Sequence, residues 1–287
     1  MKTSIITIAN QKGGVAKTTS VCNIAASYAL TGNNVLVVDL DYQFNLTSLF
    51  DISKEEAEKK SIARVISESA KLENLIVKTK HENIDIIPCT RKLNDLRDKI
   101  SSEVNQFHFL RDFFENEAIN KYDIVLIDTH PSIDLFFKAA LVASHYYLIP
   151  LFAEADSCRG LAHQIEEAEK VSKYFNPMLT LLGAFVTKFD KRNTTHISFL
   201  KAIEDASKIS NFHLFKTIIP ASAAVAGAAA SSVPLNKYKS HLNISTSYNT
   251  LAGEILPLLK GKRTGRKNAP VKTEVLYSYE IEQTVTL

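Results

Sequence analysis

Short apolar runs recur along the chain: SIITIA, NVLVVD, IDIIP, YDIVLID, YYLIP, TLLGAFV and LFKTIIP, with helical stretches between them. Each is rich in Val, Ile and Leu and almost unalternated, which is the pattern of strands covered on both faces. Strands of this kind separated by helices predict an α/β fold, a mostly parallel twisted sheet with helices on both faces. Asp39, Asp128 and Pro150 fall at the carboxyl ends of three runs. That edge of an open α/β sheet is where ligands bind.

The polar intervals divide the chain further. Residues 51–80 are rich in lysine and glutamate and predict a solvated helix and loop peripheral to the sheet. Residues 221–232, ASAAVAGAAASS, read as a tightly packed turn and helix of small residues. After Lys260 the composition changes, giving a main domain over 1–260 and an appendage over 261–287. The appendage opens with GKRTGRKNAPVK, whose Lys262, Arg263, Arg266, Lys267 and Lys272 have no acidic residue among them. In the closing VLYSYEIEQTVTL, Val275, Tyr277, Tyr279, Ile281, Val285 and Leu287 share one parity, which predicts a half-buried strand. Such a strand would pair with the main sheet edge, another subunit or a partner.

With 287 residues, 45% hydrophobic and 23% charged, the chain has room for one sizeable α/β domain with a modest appendage and is not disordered. Its longest apolar runs fall far short of the roughly 20 residues of a membrane span. No transmembrane segment is predicted. The N-terminus enters a strand without the charged, apolar and cleavage regions of a signal peptide, which predicts a cytoplasmic protein. Cys22, Cys89 and Cys158 are widely spaced, without metal-ligand or C-x-x-C spacing, and read as buried thiols. A net charge of +3 alone says little about nucleic acid.

The sharpest chemical signal is ANQKGGVAKTTS, directly after the first apolar run. A glycine turn between strand and helix can aim several backbone N–H groups at one phosphate, and the helix N-terminus adds partial positive charge. Gly13 and Gly14 would let the backbone approach, Lys17 would reach the terminal phosphates and Thr18 would ligate Mg²⁺. The strict pattern G-x-x-x-x-G-K-S/T is not met, because Gln11 and Ala16 stand at its glycine positions.

NQKGGVAKTT instead resembles the deviant Walker A motif, K-G-G-x-G/A-K-T, of the ParA/MinD group of P-loop ATPases, and its Asn-Gln is typical of the ParA/Soj branch. The resemblance implies nucleotide contacts from Gly13, Gly14, Val15, Ala16, Lys17, Thr18 and Thr19. It also makes Lys12 a signature lysine that reaches a partner subunit's nucleotide. VVDLDYQFN is similar to the group's switch I, implying that Asp41 orients the attacking water and that Asp39 lies near the metal. YDIVLIDTHPS is similar to its Walker B and switch II element, with Asp128 on the metal side through a bound water. There His130 replaces a common proline, as a tolerated loop substitution or a proton carrier. LIPLFAEADSCRGL, VTKFDKRN and KTIIPASAAVAGAAASSVPL extend the likeness over roughly 3–258, with the backbone at Pro220 beside adenine.

The family resemblance therefore implies ATP and Mg²⁺ as cofactors and a homodimer formed on ATP binding. It further implies non-specific DNA binding on the nucleoid and a ParB-like or other cargo-bound activator of slow ATP hydrolysis. One departure stands out. The segment that supplies DNA-binding arginines in the family is alanine and serine here, and phosphate contacts carry non-specific affinity. The charge is expected to have moved to Lys262, Arg263, Arg266, Lys267 and Lys272, with Lys237 and Lys239, unless the linker is only a spacer. A strand beginning near residue 4 leaves no helix-turn-helix ahead of it. A MinD-like membrane-surface ATPase is the alternative, but it needs a C-terminal amphipathic helix. Iron-sulfur reductases and ATP-dependent ligases share the fold but lack support from the cysteine context and the alanine-rich loop.

Overall fold

A computed structural model describes residues 3–261 and 270–277. Its centre is a seven-stranded sheet: β1 (Ser4–Ile8), β2 (Val35–Leu40), β3 (Val77–Lys78), β4 (Ile84–Ile87), β5 (Ile124–Thr129), β6 (Tyr146–Phe152) and β7 (Thr180–Thr187). The order is β3-β4-β2-β5-β1-β6-β7, and every pairing is parallel except β3 with β4. The unalternated runs become strands buried on both sides, as in β2, where all six residues are buried. Val35 and Val37 face the helices Lys17–Leu30 and Asn243–Gly261, while Leu36 and Val38 face Phe109–Phe114 and Leu135–Ala143. A third cluster packs β6 against Ser157–Tyr174 and Thr194–Ser210.

Two departures from the sequence pattern have local causes. LFKTIIP is not a strand. It meets β7 and its continuation at isolated bridges, Ala184–Leu214 and Phe189–Pro220, with Ile219 N–H also donating to Val186 O (2.8 Å). Between them Lys216 N–H and the Thr217 hydroxyl donate to Glu254, at 3.1 and 2.6 Å, and this draws the run off the sheet. The predicted terminal strand is also corrected over its described part: 273–277 form a helical turn, and Leu276 rather than Val275 or Tyr277 is fully buried. Tyr277 instead donates its hydroxyl to Glu166 (2.9 Å), and Lys272 N–H bonds Ser210 O (2.9 Å). The rest of that strand, 278–287, lies outside the described residues.

The 51–80 interval is less peripheral than its charge implies. It folds into Lys54–Lys60, capped by Ser53, then Ala63–Glu68 and Leu72–Leu75, and buries Ile62, Leu72 and Leu75 in the second cluster. Residues 221–232 contain the predicted helix, Ala224–Ala230, but not its tight packing: Ala228 is the one buried residue of the segment, and Ala221, Ala223, Ala226, Ala229, Ala230 and Ser231 are exposed. All three cysteines are buried. No helix among the described residues is long and apolar enough to cross a membrane.

Gly183 sits where β7 shifts register against β6, at φ +151°. A Cβ there would lie 2.5 Å from His213 O. Gly183→Ala is therefore expected to destabilise the fold by about 2–3 kcal/mol through overpacking and backbone strain. Urea unfolding checks this; an unchanged midpoint would remove the steric account.

Candidate functional site

The carboxyl edge of the sheet gathers the predicted residues of the glycine turn and of both aspartate-bearing loops. Val15 is buried and Ala16 adopts φ 64°, a left-handed conformation that turns the chain into the helix Lys17–Leu30. That helix has no side-chain cap and no acidic residue in its first turn, so its first N–H groups and positive dipole end are available to an anion. Nothing lies within 4 Å of where a Cβ would stand on Gly13 or Gly14, which leaves space for phosphate oxygens against the backbone. The loop is held from outside. Asn10 Oδ1 accepts from Lys12 N–H (2.9 Å), and Asn10 Nδ2 donates to Pro150 O (2.7 Å). Gln11 N–H donates to Gln164 Oε1 (3.0 Å), and Thr187 Oγ1 to Val15 O (3.2 Å).

Lys17 is 7% exposed, and its Nζ donates to Lys12 O at 3.2 Å. Burial lowers its pKa, opposed by the negative charge of Asp128 and Asp41. Asp39 is pushed up to about 7, chiefly by burial, although hydrogen bonds from Thr47 and Asp41 pull the other way. Its Oδ1 accepts from Asp41 N–H (3.1 Å), and Oδ2 from Thr47 N–H and Oγ1 (2.8 and 2.7 Å). Asp128 is raised further, by burial first and then by repulsion from Asp39. The Thr18 hydroxyl is near enough to pull that pKa down, yet both Asp128 oxygens are buried without a well-formed hydrogen bond. Asp128 is thus the carboxylate with unused lone pairs, whereas Asp39 is committed to holding the turn that carries Asp41.

This set fits Mg²⁺ bound together with a nucleotide. Among the described residues no cluster of three or more His, Cys, Asp or Glu could hold a metal by itself. Mg²⁺ characteristically takes only one or two protein ligands and completes its shell with phosphates and water. Pro220 shares a cavity of about 640 Å³ with Ala16, Thr19, Thr187 and Asp190, next to the P-loop. Its size and position suit an adenosine moiety.

Lys12 points out of the loop, 41% exposed at its side chain, and pairs with Glu154 at 2.7 Å. Glu154, Gln164, Asn10 and Thr187 were not singled out from the sequence. Asn10 follows β1, Glu154 follows β6, Gln164 lies on the helix Ser157–Tyr174 and Thr187 ends β7; the resembling stretches contain Asn10, Glu154 and Thr187 but not Gln164, and none of them reveals these contacts. Lys237 and Lys239 are exposed, but they are not part of the nucleotide site. Lys237 lies close enough to His81, ahead of β4, to lower the histidine's pKa behind burial and Lys80, at the opposite end of the sheet from the P-loop. Lys262, Arg263, Arg266 and Lys267 lie outside the described residues.

Residues 3–181 match the AAA domain family. The sporulation initiation inhibitor protein Soj of Bacillus subtilis (strain 168) is 33% identical over 255 residues, which cover 88% of this chain and 97% of that protein. The chain belongs to the ParA/Soj-type P-loop ATPases. Two solved structures place this ParA/Soj chain beside nucleotide-bound proteins. Cobyrinic acid a,c-diamide synthase from Mycobacterium smegmatis, with a bound ATP analog and magnesium, superposes with a TM-score of 0.77 at 26% identity, over 94% of this chain and 99% of that one. A putative plasmid partition protein from Borrelia burgdorferi B31, bound to AMPPNP, gives 0.71 at 26%, over 91% and 100%. The seven-stranded ParA/Soj sheet and its P-loop are thus those of a P-loop NTPase.

Proposed function

We propose that this chain hydrolyses ATP with Mg²⁺ and works as a ParA-type partition or cargo-positioning ATPase in the cytoplasm, on the nucleoid. The observation that carries the reading is the pairing of an uncapped helix N-terminus and buried Lys17 with an unsatisfied Asp128 carboxylate. Fixed positive charge and carboxylate oxygens without a hydrogen-bond partner lie close together at the carboxyl edge of the sheet. Gly13, Gly14, Val15, Ala16, Thr18 and Thr19 cradle the phosphates, Lys17 neutralises their oxygens, and the Pro220 cavity takes adenine. Thr18 and the Asp128 side would hold Mg²⁺, which would supply charge to offset that of the phosphates. Asp41 orients water for in-line attack, and positioning with charge stabilisation is most of what phosphoryl transfer requires.

Lys12 supports the dimer. It leaves the loop toward solvent, held by a half-exposed carboxylate that can release it at little cost. Two copies would then enclose ATP, each Lys12 reaching the other's nucleotide. The dimer would bind DNA without sequence preference, and a ParB-like protein on plasmid, chromosome or other cargo would trigger hydrolysis and release.

Binding to arbitrary duplex DNA with ATP, with ADP, and with ATP for Lys12→Ala, across a salt series, tests this reading. Binding is expected only for the parent protein with ATP, falling steeply with salt as counterions are released. Equal binding with ADP, or none in any state, would reject the nucleotide-gated DNA dimer. The contribution of the basic linker is read by replacing Lys262, Arg263, Arg266 and Lys267 with alanine in the full chain. Truncation after residue 260 would also remove buried Leu276 and confuse packing with charge. The four substitutions are expected to reduce the salt slope by about 3–4, near 0.9 for each lost phosphate contact.

A further inference from the structure

We infer that Tyr42 and His130, braced by Arg97 and Asp134, form a clamp between the two aspartate-bearing loops and position Asp41 for hydrolysis. The inference rests on the reading that Asp41 orients the attacking water. Tyr42 directly follows Asp41, and His130 lies two residues beyond Asp128. Their rings stack with centroids 4.2 Å apart and planes inclined by 22°. His130 Nδ1 is 3.0 Å from Ser132 Oγ, which fixes the imidazole from within its own loop.

The second brace comes from a different element. The Arg97 guanidinium lies 5.6 Å from the Tyr42 ring centroid and 5.8 Å from that of Phe136, and its terminal nitrogen bonds Asp134 Oδ2 at 3.0 Å. Asp134 is itself fixed, because Oδ1 caps the helix Leu135–Ala143 at Phe137 N–H (3.0 Å). Tyr42 is therefore joined to the segment after β5 twice, once by stacking and once through Arg97.

The Asp41 turn needs such support. Gln43 N–H donates to Asp41 Oδ1 (2.8 Å) and Phe44 N–H to Asp41 O (2.7 Å), closing a turn that ends with Phe44 at φ 48°. A bulky residue in the left-handed region is strained and persists only where its surroundings hold it. The phosphate cradle is held instead by Asn10, Gln164 and Thr187, none of which touches the clamp. Loosening the clamp moves the water-orienting carboxylate while leaving nucleotide affinity in place, so it separates turnover from binding.

The test is single-turnover ATP hydrolysis by the full chain with Mg²⁺, alongside affinity for a fluorescent ATP analogue and a thermal melt of each variant. His130→Ala and Tyr42→Ala are expected to slow hydrolysis about tenfold, as loss of one aromatic stack at a reacting group would. Nucleotide affinity should stay within about twofold, and the double variant should be no slower than the slower single one. His130→Phe, which keeps a stacking ring, should restore most of the rate. Parent-like hydrolysis by His130→Ala overturns the clamp, as does failure of His130→Phe to improve on it, or loss of affinity in step with rate. Asp41→Ala separates the two layers. If it hydrolyses ATP normally, the water-orienting reading falls and the clamp with it; if it is inactive while His130→Ala is normal, only the clamp falls.

Discussion

Lys17→Ala should abolish measurable ATP hydrolysis, a loss of at least about 100-fold to 1,000-fold, comparable to removing a preorganised charge donor from a phosphate-binding site. Lys17 is the one charged side chain seated inside the loop between the strand and helix that form the cradle. Burial works against its charge, and Asp128 and Asp41 work for it. The ammonium is thus already stripped of most of its water and need not reorganise when phosphate charge develops. Removing it also takes away the attraction that lowers the Asp128 pKa, so Asp128 should be held still more firmly in its neutral form in the ligand-free variant. Lys17→Arg should not restore activity, because a planar guanidinium cannot replace a compact ammonium in a closed space. Lys12→Ala should differ in kind. Its partly exposed charge lies outside the cradle, so a single subunit should keep nucleotide affinity and lose the functions that need a second copy. Nucleotide binding and phosphate release, measured on both variants, distinguish the two lysines. Hydrolysis by Lys17→Ala at near the parent rate would show that the cradle works without its buried charge.

The sheet was legible because its signal is repeated and local. Six of the seven apolar runs are strands, since strands buried on both faces must be apolar at successive positions. LFKTIIP carried the same signal and failed because of Glu254, distant in sequence, whose carboxylate takes Lys216 N–H and Thr217 Oγ1. The two-residue β3 was too short to read. The alternation from Val275 onward was real as a pattern. Packing of Leu276 against the third cluster selected a helical turn for the described part, which no period in the segment could foretell. At the site, residues within a motif were readable and their counterparts were not. Lys12 was visible but its pairing with Glu154 was not; Asp39 was visible, but its saturation by Thr47 was not. Residue type reveals a charge, whereas the distribution of its lone pairs is decided by elements brought together only on folding.

Asp128→Asn should make the ligand-free protein more stable at pH 8 and simultaneously inactive. In the unfolded chain Asp39 and Asp128 ionise near pH 4, about 3.9 for an unperturbed aspartate. In the fold, burial, aided by repulsion from Asp41 at Asp39 and from Asp39 at Asp128, holds Asp39 at about 7 and Asp128 at about 8. Between these limits the folded protein binds more protons than the unfolded chain, so this pair makes stability fall as pH rises from about 4 to 8. Melting with EDTA and no nucleotide should therefore occur at a lower temperature at pH 8 than at pH 6. The asparagine removes one ionisation and its repulsion of Asp39, but also one attraction on Lys17. Because the net effect on Asp128 favours its neutral form, the amide should gain on the order of 1–2 kcal/mol at pH 8 and less at pH 5.5, nearer the unfolded pKa. The open oxygens that make the carboxylate costly are also those that fit the Mg²⁺ side of the site, so phosphate release should fall by at least about 100-fold. A cation beside Asp128 lowers its pKa and displaces its proton, so Mg·ATP should bind more tightly, and protect more against melting, at pH 8 than at pH 6. Parallel melts and phosphate release decide the matter. Lower stability of Asp128→Asn at pH 8 would mean that attraction to Lys17 outweighs repulsion by Asp39, and that Asp128 is a structural ion-pair partner.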